Sequence, residues 1–373
     1  MDKKKKTKKI LKYAFIPLLF IFSFWYLFKD IDFSTLKDAM ISLDTRYLTF
    51  AIIMVFAQIF IQGLCYVIMG NGLNCHITPV TGFGYCSVDL FFSQLTPFAV
   101  GGQPMMVYEM KAKGDLPVAK TTTMVLLYSF LNKLALIILA ILAAIFCWNE
   151  FFANASHSKL MVGLLIFGVC SNLFLASFSI IFMFMGGFAY KVGARIIFWL
   201  HAHHMLYDPY TKCKKLHKTI MNFKASNRYV KNHLFMSFLV LLLCILKRIA
   251  TFSIAYFIYR GFGLSEHGFM YIIFAQTVYA VISDSFPIPG GIGAAETSIK
   301  QLYDDIYKSA APGIADTAAI LVRGISYYVL ILVSGFTTII VMAKGKKKVK
   351  EIDSNEQSET SVKELSRDNQ EEL

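Results

Sequence analysis

The chain has 373 residues, of which 56% are hydrophobic and 15% aromatic, and its mean hydropathy is +0.55. A soluble domain carries roughly 45 to 50% apolar residues, so the composition excludes a water-soluble fold and indicates an all-α polytopic membrane protein. A net charge of +13 would point to nucleic acid in a soluble chain, but here the lysines and arginines stand in blocks beside apolar runs, where they set topology.

In chain order, Lys3 to Lys6 with Lys8 and Lys9 precede the first apolar run, 10–28. This opening resembles a secretory signal, yet no small-residue cleavage site follows Phe28, so a retained signal anchor is expected. Five further runs, 47–69, 121–147, 159–186, 234–259 and 315–342, are also long enough for a hydrocarbon core of roughly 30 Å. The 29–46 loop carries Asp30, Asp32, Asp38 and Asp44, and the 148–158 loop carries Glu150 without Lys or Arg. Basic stretches fill the 187–233 loop and Lys344 to Lys350. Six full crossings, with both termini and the 187–233 loop in the cytoplasm, satisfy these charges. Beyond Ala343 the segment 344–373 turns basic and then Glu-, Ser- and Asp-rich, a composition that remains disordered.

Parity then constrains the two semi-apolar segments between spans. The first, 82–118, leaves from the cytoplasmic side and returns to it; the second, 267–312, does the same from outside. Each is read as a hairpin broken at membrane depth, the first at Pro97 with Gly101 and Gly102, the second at Pro287 and Pro289 with Gly290, Gly291 and Gly293. Asp89 or Asp284 lies upstream and Glu109 or Glu296 downstream. A broken helix at that depth survives only inside protein or around a wet cavity, and paired breaks in inverted halves mark transport sites. The expected organisation is an integral membrane domain, 1–343, with inverted repeats 47–147 and 234–342. The alternative is two re-entrant loops that only help the bundle pack.

The run Pro287-Ile288-Pro289-Gly290-Gly291-Ile292-Gly293-Ala294-Ala295-Glu296 resembles the signature of the lysylphosphatidylglycerol synthase transmembrane family, the membrane half of bacterial multiple peptide resistance factors. The likeness extends over residues 10–343 through the span count, Gly101-Gly102 and Arg323. It implies movement of aminoacylated phosphatidylglycerol between leaflets of a bacterial plasma membrane, and a role in resisting cationic antimicrobial peptides. In that family a separate soluble domain transfers lysine from lysyl-tRNA to phosphatidylglycerol, and with about thirty residues after Ala343 that domain is expected to be a separate synthase. Two other readings stay open: phosphatidylglycerol lysyltransferase activity itself, or carriage of another lipid-linked phosphate.

Candidate site residues follow from the cost of charge in lipid, since ionisable groups within spans face the bundle interior with a partner. Arg323 and Arg248, with Lys247, are expected to hold a lipid phosphate, and Glu296 and Asp284 a cationic headgroup; the alternative for Arg323 is a structural ion pair with Glu296 or Asp284. Lys133 is expected to pair with Asp89. The backbone amides of a helix starting near Gly293 would favour an anion, and Glu296 would either cap that turn or meet a lysyl group. No metal and no cofactor are expected: the seven cysteines lack CxxC spacing, and His201, His203 and His204 suit an interfacial helix in 187–233, where Phe198, Trp199 and Tyr207 among lysines fit an anionic leaflet. No Walker lysine, HExxH or GxSxG motif points to ATP use or hydrolysis. The expected partners are membrane phospholipids and a lysyl-lipid synthase, with homo-oligomerisation open and nucleic acid not required.

Overall fold

The computed structural model describes residues 41, 43–96, 101–114, 116–147, 159–202, 208–285, 302–304, 306–310 and 314–343. The predicted span 10–28, the 148–158 loop and the tail 344–373 lie outside them, as does most of the 29–46 loop. Among the described residues the structure is helical throughout, with no strand. Its elements are α1 (Thr45–Gly72), α2 (Pro79–Leu95), α3 (Gly102–Gly114), α4 (Val118–Phe146), α5 (Lys159–Phe184), α6 (Gly186–Ala202), α7 (Pro209–Asn232), α8 (Leu234–Gly261) and α9 (Phe269–Ser283), and α10 (Ile314–Ala343).

Four of these, α1, α4, α8 and α10, are long and apolar enough to cross a membrane, and they coincide with four predicted spans. α5 occupies a fifth, with a shorter apolar stretch at Gly163–Ser179. By contrast α2 has 17 residues and α9 has 15, fewer than the roughly 20 a crossing needs.

Local chemistry sets the helix starts. Asp44 caps α1 by accepting the Arg46 N–H at 2.9 Å, and α2 opens with a capping box between Thr78 and Thr81 and with Pro79 in its first turn. Asp208 caps α7 ahead of Pro209. Its exposed carboxyl is held below the usual range, chiefly by the hydrogen bonds from Thr211.

The centre of the bundle is α1 packed along α8. The Asp44 N–H donates to the Gly261 carbonyl at 3.1 Å, placing the start of α1 beside the end of α8, so the two run antiparallel. Val55, Ile59, Tyr66 and Met69 of α1 and Val240, Cys244, Ile254 and Ile258 of α8 are buried in the main core.

Two satellite clusters flank it. In one, Val88, Phe91, Phe92 and Leu95 of α2 pack on Tyr327 and Ile331 of α10. In the other, Ile273, Ala280 and Val281 of α9 pack with Leu136 and Leu139 of α4. The short helix that follows each central span therefore rests on a long helix from the other end of the chain.

Close backbone approach allows the second arrangement. A Cβ placed on Gly168 of α5 would lie 2.7 Å from the Val281 carbonyl oxygen of α9, so only glycine lets the two helices meet there. Gly168→Val is expected to destabilise the protein by about 1–3 kcal/mol, the usual cost of overpacking. A thermal scan in detergent that shows an unchanged midpoint would contradict this contact.

Candidate functional site

At the first break, α2 stops at Leu95 and the chain resumes helically at Gly102. Thr96 joins the two sides: its hydroxyl donates to the Phe92 carbonyl at 2.8 Å and accepts the Gly101 N–H at 2.9 Å. The Tyr327 hydroxyl reaches across from α10 to donate to the Gln94 carbonyl at 2.9 Å, satisfying a backbone oxygen that the interrupted helix would leave orphaned in lipid. Gly102 is required by proximity, because a Cβ there would overlap the Asp89 carbonyl oxygen and the Ser93 hydroxyl. Pro97 lies outside the described residues.

Asp89 is buried between α1 and α3. It accepts Gln62 Nε2 at 2.9 Å and the Tyr66 hydroxyl at 3.1 Å, with Ser93 Oγ at 3.4 Å, and it abuts the first residue of α3. The expected Lys133–Asp89 pair does not form. Lys133 instead reaches a carboxylate on the other broken segment, which comes closer because α4 packs on α9 rather than facing α2.

That carboxylate is Asp284, the C-cap of α9. Its Oδ2 receives Lys133 Nζ and Arg248 Nη2, both at 3.1 Å. Lys133 also donates to Asn172 Oδ1 at 2.9 Å, and Asn172 Nδ2 donates to the carbonyls of Gly168 at 2.9 Å and Val281 at 3.1 Å. Asn172 thereby fixes the lysine to the point where α5 and α9 touch.

The Lys133, Arg248 and Asp284 side chains retain 20%, 11% and 31% of their exposure, so the cluster opens onto space. Among the described residues two cations share one carboxylate, a local excess of one positive charge. Arg248 Nε has no acceptor among the described residues. Because Asp284 is already engaged by two cations of the protein, a cationic headgroup reaching it would have to displace one of them.

Lys247 points away from this cluster. Its Nζ donates to the Tyr128 hydroxyl at 3.3 Å and stands 6.0 Å from that ring's centroid, while Tyr128 lies 5.0 Å from the Tyr66 ring. Lys247 thus joins the Asp89 side of the bundle, and its neighbour Arg248 the Asp284 side.

Arg323 is half-buried and immediately precedes a π turn, Gly324–Val329, that carries Tyr327 towards the first break. Such bulges recur at functional sites. Glu296, Pro287, Pro289, Gly290, Gly291 and Gly293 lie outside the described residues, as do His203 and His204. Asp284 is three residues ahead of Pro287 in the chain.

Sequence reasoning did not select Asn172 or Tyr327. Asn172 left a signal, since it is the only side-chain amide in the apolar run 159–186. Nothing marked Tyr327, one of 19 tyrosines. Among the described residues no three His, Cys, Asp or Glu side chains gather as metal ligands would.

Replacing Asp284 by Leu strands two partly buried cations and is expected to cost up to about 3 kcal/mol, the low end for breaking a buried pair given the residual exposure. Adding Lys133→Met should recover part of the loss, a non-additive coupling of about 1 kcal/mol or more. Strict additivity of the two thermal shifts would refute the shared cluster.

No curated protein and no solved structure matches the chain. Residues 9–334 match the lysylphosphatidylglycerol synthase TM region, and the multi-pass helical chain belongs to that family of membrane proteins, which suggests a membrane role in lysyl-phosphatidylglycerol synthesis or translocation.

Proposed function

We propose that this protein translocates a phospholipid headgroup between leaflets, that of aminoacylated (lysyl) phosphatidylglycerol or a related anionic lipid, while the acyl chains stay in the bilayer. The observation that carries this reading is the cation cluster on Asp284. Lys133 and Arg248 sit near the middle of their spans, where an unpaired phosphate would be costly. Among the described residues, the one excess positive charge and the unused Arg248 donor suit a single phosphate, with guanidinium geometry favouring two of its oxygens.

Arg323 serves as a second phosphate contact, and Glu296 receives the cationic lysyl group. Asp284 holds Lys133 and Arg248 in place between passages. The exchange of packing partners between α2–α10 and α4–α9 supports an inverted repeat, 47–147 against 234–342, within six full spans and two broken hairpins. The basic blocks support a bacterial plasma membrane orientation with both termini in the cytoplasm.

The α6–α7 hairpin belongs on the cytoplasmic surface. Phe188, Val192, Ile196 and Trp199 recur at helical spacing on α6 and are exposed, and Lys191 and Arg195 flank them. The segment 187–233 holds nine Lys and Arg against one Asp, which favours an anionic leaflet. Brominated phosphatidylglycerol should quench the emission lost in Trp199→Phe more than brominated phosphatidylcholine does; equal quenching would remove this assignment.

A second reading, membrane subunit of a phosphatidylglycerol lysyltransferase, is favoured by the family's description as a synthase region. Lipid analysis of cells expressing the chain alone, and together with a lysyl-lipid synthase, separates the readings. Total lysyl-lipid is scored along with the share that a membrane-impermeant amine reagent reaches. Lysyl-lipid from the chain alone would establish the enzyme. Synthesis that needs the partner, with surface exposure that needs this chain, is the expected result. No effect on either would favour a carrier of another lipid-linked phosphate.

In the same assay Arg248→Ala, Arg323→Ala and Glu296→Gln should each lower surface exposure about tenfold or more. Loss of a charge-assisted bond of ~1.5–3 kcal/mol implies a change of that size. Folded protein should remain near the parental amount. Full exposure in all three variants would remove these residue assignments.

A further inference from the structure

We infer that the groove between α4, α5 and α9 is an acyl-chain site for the lipid whose phosphate sits at Lys133 and Arg248, an inference that rests on the translocation reading above. The groove encloses about 180 Å³ and is lined by Ile137, Ala140 and Ala144 of α4, Leu165 and Val169 of α5, and Val278 of α9. Asn172 is its polar end, and this is the residue that accepts Lys133 Nζ at 2.9 Å. Apolar slot and cation cluster are therefore one continuous feature, joined through a single side chain.

The shape follows from the packing. α5 and α9 touch at Gly168 and Val281, and small residues at Ala140 and Ala144 leave the α4 wall shallow. Ile141 and Ile145 are exposed on the same helix, so the slot is open sideways to the bilayer. A chain can enter there without leaving the hydrocarbon.

Length and direction are informative. From Lys133 to Ala144 the helix rises about 16 Å at 1.5 Å per residue, about half of a roughly 30 Å hydrocarbon core, the reach of one leaflet's acyl chain. With the topology read from the basic blocks, α4 runs outward, so the slot extends from mid-depth towards the outer face.

A lipid held here has its phosphate at the middle of the membrane and its chain pointing outward. That is how a lipid of the cytoplasmic leaflet points, advanced by half the bilayer. The site thus holds a lipid in the cytoplasmic leaflet's orientation, before it turns over on the way out or after it has turned over on the way in. A lipid still in the outer leaflet's orientation would point its chain the other way and leave the slot empty.

The test uses full-length protein purified in mild detergent and reconstituted in phosphatidylcholine vesicles with headgroup-labelled phosphatidylglycerol as the probe. Phospholipid retained through purification is quantified by mass spectrometry, and labelled lipid reaching the opposite leaflet is scored by a membrane-impermeant quencher. Ala140→Trp, which fills the slot, should lower both retained lipid and translocation about tenfold. Ile166→Trp, on the exposed side of α5, should change neither. If Ala140→Trp lowers the amount of folded protein, Ala144→Phe near the open end replaces it with the same expectation.

Retention and translocation that survive a filled slot, while Arg248→Ala still stops translocation, would overturn the acyl site and leave the translocation reading intact. Equal losses in Ile166→Trp and Ala140→Trp would reduce the groove to ordinary lipid contact and overturn it as well. Failure of the parental protein to move any labelled lipid, with retained lipid still lost on filling the slot, would instead count against translocation alone.

Discussion

In a bilayer core there is no water to satisfy a backbone amide, a carbonyl or a charge, and every polar group at depth must find its partner within the protein. The two broken segments meet that demand in different ways. At the first, Thr96 and Tyr327 supply hydrogen bonds to backbone atoms on either side of the interruption, and Asp89 sinks into a nest of neutral donors. Near the second, Asp284 gathers two cations from two different spans. The first break is sealed by local chemistry, whereas the described residues ahead of the second Pro-Gly run carry a cluster of paired charges.

This difference grows out of one packing decision. With α1 and α8 antiparallel at the centre, the short helix after each is pushed outward onto a span from the opposite end of the chain. α2 meets α10, and the Tyr327 hydroxyl comes within reach of Gln94. α9 meets α4 and α5, and Lys133, Asn172 and Asp284 converge. The adjacent residues Lys247 and Arg248 then serve opposite sides of the bundle because neighbouring positions on a helix point about 100° apart. A polar thread, Tyr66, Tyr128 and Lys247, links the Asp89 nest to the spans that carry the cation cluster.

Much of this was legible in the chain. The runs 47–69, 121–147, 234–259 and 315–342 reappear as helices, and the semi-apolar segments contain helices too short to cross, bounded by Thr96 at one break and Asp284 near the other. Arg248 was legible as a costly charge within lipid and Asp284 as the carboxylate ahead of the second Pro-Gly run, and they share one hydrogen-bonded cluster. Their partner Lys133 was assigned to Asp89, because parity and hydropathy say which residues lie at similar depth without saying which face each helix presents. Asn172 carried a signal, a lone amide in an apolar run. Tyr327 carried none, since a tyrosine near the middle of an apolar span reads the same whether it meets lipid or a carbonyl oxygen.

Composition and the positions of apolar runs, proline and glycine determined that this chain lives in a membrane, where its long helices lie, and that α2 is interrupted ahead of Gly101-Gly102. These properties depend on transfer free energy and backbone geometry, which act residue by residue along the chain. Tertiary structure alone decided the pairings: Lys133 with Asp284, Tyr327 with Gln94, α5 against α9 at Gly168. A membrane span is apolar on its lipid face and on its protein face alike, so the periodicity that reveals the buried side of a soluble helix is erased. Only the packed bundle selects which face turns inward.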